Sequence, residues 1–266
     1  MIPLEGGFNQ TVSYEPESHL VIKTFDHEDP SRPMRLRMLA EIWALQHVPV
    51  APELKGVNER QIYMTFAEGT RSLDAETVEM PERLQFSVFH TAGETLAEVH
   101  NRARWDASDY HAAHMDRVNG NLEAAAEALI RKGIDPQRVY DYLNYSYQMD
   151  EVERHGLVWT HRDFWLNNLI GRPGKDSFEL SNVIDWEMAG VGSPYEDFGM
   201  VEVAMERRFP DNAHYFWEGY GFNPDPDLKR HFAMARTLEW VAAEPADNDL
   251  SSDFYADKLA MIRETI

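Results

Sequence analysis

The chain has 266 residues, is 43% hydrophobic, contains no cysteine and carries a formal charge of -21. Disulfides and thiolate metal sites are therefore excluded, and a nucleic-acid partner is not expected, because a phosphate polymer is bound through clustered Lys and Arg. The N-terminal MIPLEGGFNQ lacks the basic and apolar regions of a signal peptide, and no apolar run approaches the ~20 residues that span a bilayer; the expectation is a soluble, cytoplasmic chain without a membrane partner. The acidity reads first as a solvated surface and second as a field that attracts cations.

In chain order, LVIKTF at 20 to 25 is a β-branched run preceded by the Gly6-Gly7 turn and the polar break YEPES, and it predicts a strand. Met34, Met38, Ile42 and Leu45 recur at intervals of three and four, predicting a helix over 31 to 47 with Ser31 as its cap, stopped before Pro49. IYMTF at 62 to 66 reads as a further strand leading into the linker AEGTRSL, which is the candidate lobe boundary. Phe86, Phe89, Gly93, Leu96 and His100 share one helical face. A second helix closes at Gly133, and Asp135-Pro136 caps a third that runs to Gly156. GLVWT, NNLI and FELSNVIDW then predict short strands with GRPGKDS as a turn. From Phe198 onward helical spacing returns, broken at NPDPD.

The chemistry concentrates in THRDFWLNNLIGRPGKDSFELSNVIDWE, residues 160 to 187. Asp163 follows a strand, Asn168 comes five residues later, and Asp185 ends the returning strand. Phosphoryl transfer needs a carboxylate to orient or deprotonate an attacking hydroxyl and oxygen ligands for Mg²⁺, which prefers one or two protein ligands completed by phosphates and water. His161-x-Asp163-x-x-x-x-Asn168 followed by Ile184-Asp185-Trp186-Glu187 resembles the catalytic and metal segments of the aminoglycoside phosphotransferase and choline kinase family, which has the protein-kinase fold. The resemblance implies Asp163 as base, Asn168 and Asp185 as catalytic metal ligands, and His161 as an organiser of the loop. Gly192-Ser193-Pro194-Tyr195-Glu196-Asp197-Phe198 is similar to a downstream family stretch whose aspartate is mainly structural. Arg162 departs from the pattern, standing where the family usually has glycine. Only eleven residues separate Asp185 from Asp197, too few for the activation loop of a protein kinase.

By the same resemblance Lys23 contacts the nucleotide phosphates, Glu41 pairs with it (Glu28 competing for that role), Gly6 and Gly7 form the turn over the phosphates, and Met64, Thr65, Phe66 and Ala67 meet the nucleobase through their backbone. No Gly-x-x-x-x-Gly-Lys-Ser/Thr is present, so a P-loop is excluded, and no His pair has zinc-ligand spacing.

The expected fold is α+β and bilobal, protein-kinase-like, with a β-rich nucleotide-binding lobe over 1–67 and a mainly helical lobe over 68–266 that carries the catalytic hairpin. The expected activity is transfer of the γ-phosphate of ATP or GTP, with Mg²⁺, to a small-molecule hydroxyl. An aminoglycoside-like or other amine-bearing acceptor is favoured by the net charge and by the aromatic–acid pairs around Trp165, Trp186-Glu187 and Glu239-Trp240. Choline, ethanolamine, sugars and homoserine stay open as acceptors, as does a kinase-fold binding protein without turnover. Oligomeric state is not legible.

Overall fold

A computed structural model describes residues 1–4, 11–25, 32–69, 77, 80–102, 104–105, 109–175, 177–243 and 253–266. The chain divides into two compact units, each built from three segments. Unit 1 takes Met1–Val99, His161–Gly190 and Phe209–Phe222, and unit 2 takes His100–Thr160, Val191–Arg208 and Asn223–Ile266. The expected boundary near residue 67 falls inside the first segment of unit 1.

Unit 1 opens with a five-stranded antiparallel sheet in the order β1-β2-β3-β5-β4. Its strands are β1 (Ile2–Leu4), β2 (Thr11–Glu15), β3 (Leu20–Thr24), β4 (Leu54–Val57) and β5 (Gln61–Thr65). The central β3 pairs Lys23 with Val12 on one side and with Ile62 on the other. Strands β2 and β4 were not anticipated from sequence.

Helix α1 (Met34–His47) follows the sheet and starts behind Pro33, while Ser31 lies outside the described residues. Its buried face is Arg37, Met38, Ala40, Glu41, Ala44 and Leu45, whereas Leu36 and Leu39 are exposed. The face that the hydrophobic periodicity implies is turned inward, with Met38 and Leu45 buried and Met34 and Ile42 half-buried, and two charged side chains enter the interior with it. Burying charges is costly unless they are paired, and their partners are described below.

Helix α2 (Glu82–His100) buries Phe89, Leu96 and His100 as expected, but Phe86 is 40% exposed and meets the Tyr215 ring edge-on at 4.7 Å. α2 also crosses α7 (Ala213–Tyr220) at backbone contact. A Cβ on Gly93 would lie 2.0 Å from the Phe216 carbonyl oxygen, and one on Gly219 would lie 2.0 Å from that of His90. Glycine is required at both positions by the lack of space.

The core of unit 2 is helical. α3 (Tyr110–Arg131) contributes Val118, Leu122 and Leu129; α4 (Pro136–Ser146) adds Val139 and Leu143; α8 (Pro226–Ala243) and α9 (Asp253–Thr265) close it with Leu238 and Ile262. Gly133 takes a left-handed φ of 73° just beyond α3. The Asp135 side chain accepts a hydrogen bond from the Gln137 amide at 2.9 Å, the N-cap arrangement the sequence predicts. The predicted run to Gly156 breaks at Tyr147-Gln148 into α4 and α5 (Met149–His155).

Unit 2 also buries a polar chain. His114 and His231 place their Nε2 atoms 2.9 Å apart, His231 Nδ1 lies 3.1 Å from Ser146 Oγ, and Arg117 Nη2 lies 3.3 Å from His114 Nδ1. Glu196, on α6 (Tyr195–Val201), accepts from Arg117 Nη2 and Tyr110 Oη at 2.8 Å each. Asp197 and His100 are both buried and 2.9 Å apart, a geometry that suits a structural aspartate. Among the described residues no helix is long and apolar enough to cross a membrane.

Candidate active site

The hairpin of unit 1 consists of β7 (Leu169–Pro173) and β8 (Phe178–Val183), which follow β6 (Val158–Thr160). A 3₁₀ turn at Leu166–Asn168 precedes it and another at Trp186–Met188 follows it. Asp163 and Asn168 face each other across the first turn. Asn168 Nδ2 donates to the Asp163 backbone oxygen at 2.8 Å and to its Oδ2 at 2.9 Å. Both bonds use the amide nitrogen, so Oδ1 is not spent on Asp163.

His161 ties this loop to the Asp185 segment. Its Nδ1 accepts the Asp163 amide at 3.2 Å, which requires the proton on Nε2, and Nε2 donates to the Ile184 carbonyl at 3.0 Å. The Ile184 amide in turn donates to the Asn168 carbonyl at 2.9 Å. Two residues on this path adopt left-handed backbone without being glycine: Arg162 at φ 64° and Asp185 at φ 66°. Each such residue costs about 1 kcal/mol or more. For Arg162 this explains why glycine is common there in the resembled family. Its guanidinium lies over Gly190, where a Cβ would meet Nη1 at 3.4 Å.

Lys23 is 3% exposed and is held at 2.9 Å by Glu41 Oε2 and at 2.5 Å by Asp185 Oδ1. Glu187 Oε2 lies 3.8 Å from Lys23 Nζ and 3.7 Å from Arg37 Nη1. The Phe25 ring carries both cations, with Lys23 Nζ 5.5 Å and Arg37 Cζ 5.4 Å from its centroid. Burial alone would lower the Lys23 pKa, but the charges of Asp185, Glu41 and Glu187 outweigh it and move the ammonium well above its ordinary value. Three acids share two cations here, and the acids respond. Burial pushes Glu41 up to about 7 against the opposing pull of Lys23, and burial likewise raises Glu187.

The residues singled out from sequence thus separate into groups. Lys23, Glu41, Asp163, Asn168 and Asp185 all lie in unit 1, and Lys23 joins Glu41 to Asp185 directly. Gly6, Gly7 and Glu28 lie outside the described residues. Met64 is buried within β5, while the Thr65 amide is bonded to Glu53 O and the Phe66 amide to His19 O. Of the residues expected at the acceptor, Trp165, two residues after Asp163 in the chain, is half-buried. Trp186 requires correction. It is fully buried, stands 4.4 Å from the His161 ring and donates Nε1 to the Val183 carbonyl at 2.7 Å, so it packs the hairpin and presents no face to a substrate. Glu187 faces Lys23. In unit 2, Glu239 is bonded to Arg236 at 2.6 Å, and the Trp240 ring has Arg236 Cζ at 4.9 Å and Lys258 Nζ at 4.6 Å. The chain's own cations fill the role expected of a substrate amine at that pair.

Sequence reasoning missed Arg37, buried without exposure one helical turn before Glu41. Its signal was positional: a basic residue four before a glutamate, on the face that carries Met38 and Leu45. Among the described residues no three His, Asp or Glu side chains cluster as a protein-only metal cage.

A lysine of an antiparallel sheet that bridges a helix glutamate and the aspartate following a hairpin, in a chain whose remainder is mainly helical, defines a protein-kinase-like fold of the kind used by small-molecule phosphotransferases. The model of the phosphotransferase enzyme family (APH) matches residues 2–232, and the chain belongs to that family. ADP-bound aminoglycoside phosphotransferase APH(2'')-Ib shares the fold with a TM-score of 0.68 at 16% identity, over 99% of this chain and 92% of that one. The GDP complex of aminoglycoside 2'-phosphotransferase-IIIa gives 0.69 at 13% identity over 99% and 91%. A choline/ethanolamine kinase family protein from Mesorhizobium loti gives 0.59 at 14% over 97% and 91%. No curated protein matches the chain.

Proposed function

We propose that the protein transfers the γ-phosphate of ATP or GTP to a hydroxyl of a small amine-bearing molecule, with Mg²⁺. The observation that carries this reading is Lys23, buried between Glu41 and Asp185 in the unit that also holds the Asp163–Asn168 pair. A buried lysine tied to two carboxylates is costly as mere structure, and it is suited to receiving phosphate oxygens. The fold neighbours with ADP and with GDP support a nucleotide without choosing between the two.

In this reading Asp163 accepts the proton of the acceptor hydroxyl as its oxygen bonds to the γ-phosphorus. The bond from that phosphorus to the β–γ bridging oxygen breaks, and the diphosphate leaves. Asn168 Nδ2 holds Asp163 Oδ2, which fixes the orientation of the carboxylate. Lys23 takes the phosphates, and a base at Met64 to Ala67 meets backbone groups other than the Thr65 and Phe66 amides, which the sheet already uses.

The residues fit Mg²⁺. Asn168 keeps Oδ1 for it, Asp185 supplies a carboxylate, and the acids around Lys23 outnumber the cations. Buried Glu187 Oε2 also has no hydrogen bond. Two protein ligands suffice, because Mg²⁺ completes its shell with phosphates and water. The ion would be held by Asn168 and Asp185 and would supply charge neutralisation on the transferring phosphoryl group.

The preference for an amine rests on the charge of -21 and on the place of Trp165 two residues after Asp163 in the chain. The test is release of ADP or GDP with amino sugars, amino alcohols, neutral sugars and homoserine as acceptors. An amine should be preferred over its hydroxyl analogue at low salt, and that preference should fall as salt screens it. Equal turnover of the neutral analogue at every salt concentration removes the amine, and turnover of no acceptor favours a binding protein.

A further inference from the structure

Arg37 is the feature of unit 1 that the proposed reaction does not absorb. It is wholly buried on α1, four residues before Glu41, and its guanidinium stands 3.7 Å from Glu187. Glu187 sits on the turn after Asp185, which is fixed on three sides. Trp186 Nε1 bonds the Val183 carbonyl, Arg32 Nη2 donates to the Ala189 carbonyl at 2.8 Å, and Arg37 faces Glu187 itself. The Glu187 oxygen nearest Arg37 is also 3.8 Å from Lys23, just beyond hydrogen-bond reach, and is buried without a hydrogen bond. Such an oxygen is costly to keep, and packing alone gives no reason for it.

Resting on the kinase reading above, we propose that Arg37 is a positioning residue: it holds Glu187 beside Lys23 as the carboxylate that replaces Asp185 as the partner of Lys23 when Asp185 turns to the metal. The geometry supplies the reason. Asp185 Oδ1 lies 2.5 Å from Lys23 Nζ, and a carboxylate that binds Mg²⁺ gives up most of its charge to that ion. The ammonium is then left with Glu41 and a repelling dication. Glu187 is the third carboxylate within 4 Å of Lys23 among the described residues, and closing from 3.8 Å to contact needs a shift of about 1 Å. Without Arg37 the Glu187 side chain, 15% exposed, would lose its fixed cation and turn toward water.

The test is calorimetric binding of Mg·ADP and of ADP in EDTA, with GDP run in parallel. Arg37→Met should weaken Mg·nucleotide binding by about tenfold while changing metal-free nucleotide binding by less than about twofold. Arg37→Lys should restore most of the loss. In a Glu187→Gln background, Arg37→Met should add nothing, because its effect passes through Glu187. A purely structural role would lower the melting temperature and weaken both binding modes together, and that result overturns the proposal, as does an undiminished effect of Arg37→Met in the Glu187→Gln background. Should Arg37→Met not fold, Glu187→Gln alone reads the same ratio, and an unchanged ratio overturns the proposal. Wild type that binds Mg·ADP and loses it in Asp185→Ala upholds the kinase reading whatever Arg37 does, whereas wild type that binds neither nucleotide defeats both.

Discussion

His231 is a buried group whose protonation should be visible in stability, and the direction can be worked from its contacts. Arginine only donates, so Arg117 Nη2 at 3.3 Å makes His114 Nδ1 an acceptor and puts the His114 proton on Nε2. That proton points at His231 Nε2, 2.9 Å away, so His231 accepts there. A second proton on His231 Nε2 would meet the first head-on. Burial lowers the His231 pKa from 6.5 to about 4, against the opposing backbone hydrogen bond to Leu143. The folded protein therefore refuses a proton that the unfolded chain takes up below about pH 6.5. Stability is fully present above that pH, falls between pH 6.5 and 4, and levels off below. Linkage with those two values gives a loss of about 2 kcal/mol on going from pH 7.5 to 5, or about 4–8 °C in melting temperature for a chain of this size. The perturbation is His231→Gln, which is polar but does not titrate. Thermal unfolding followed by far-ultraviolet circular dichroism at pH 7.5 and 5 should show a lower melting temperature than wild type at pH 7.5, from the lost hydrogen bonds, and a smaller drop on acidification. Carboxylates contribute to both proteins and cancel in the difference. An acid-induced drop equal in wild type and variant would refute the reasoning.

Asp163→Asn should lower kcat by about 10²–10⁴-fold with nucleotide affinity nearly unchanged; retained kcat would remove Asp163 as the base. Asp185→Ala and Asn168→Ala should weaken Mg²⁺-dependent nucleotide binding, read by calorimetry, and unchanged affinity in both would place the metal elsewhere. Gly93→Ala should destabilise by about 1–3 kcal/mol or prevent folding, because the new methyl meets the Phe216 backbone at 2.0 Å. Gly120→Ala, in α3 with nothing within 4 Å, should instead stabilise by about 0.5–1 kcal/mol, and the two melting temperatures moving the same way would contradict the packing described.

The parts of the fold that were legible are those in which a local signal and a functional spacing coincide. Lys23 lies in a β-branched run, the Asp163–Asn168 interval fits one turn before a hairpin, and Asp135-Pro136 is a helix start by composition alone. Strand β2 escaped because its last two residues, Tyr14 and Glu15, open the polar stretch YEPES that reads as a break, and β4 because Leu54–Val57 is only four residues long with no alternation of apolar side chains. The break between α4 and α5 escaped because Tyr147-Gln148 contains neither glycine nor proline. The apolar face of α1 was legible, but the burial of Arg37 along with it was not, for an energetic reason. Hydrophobic periodicity assumes that charges stay in water, and here Arg37 and Glu41 enter the interior because Glu187 and Lys23 await them. Trp186, Glu239 and Trp240 show the same limit: adjacency of an aromatic and an acid in sequence does not say which way either side chain points.

The division of unit 1 among three stretches of chain sets an order on biosynthesis. Lys23 and Glu41 leave the ribosome early, yet Asp185 lies 162 residues beyond Lys23, and the helix that fits against Gly93 is complete only at Tyr220. At ordinary translation rates, the interval between residue 99 and residue 222 is roughly 6–25 s. Throughout it the sheet and α2 wait with the Gly93 groove uncovered and a buried lysine short of one counter-ion. The nascent chain therefore passes through a stage in which residues 1–99 are synthesised but unit 1 is not finished. A ribosome stalled between those points should display a protease-sensitive N-terminal segment that becomes resistant only after the third stretch has emerged.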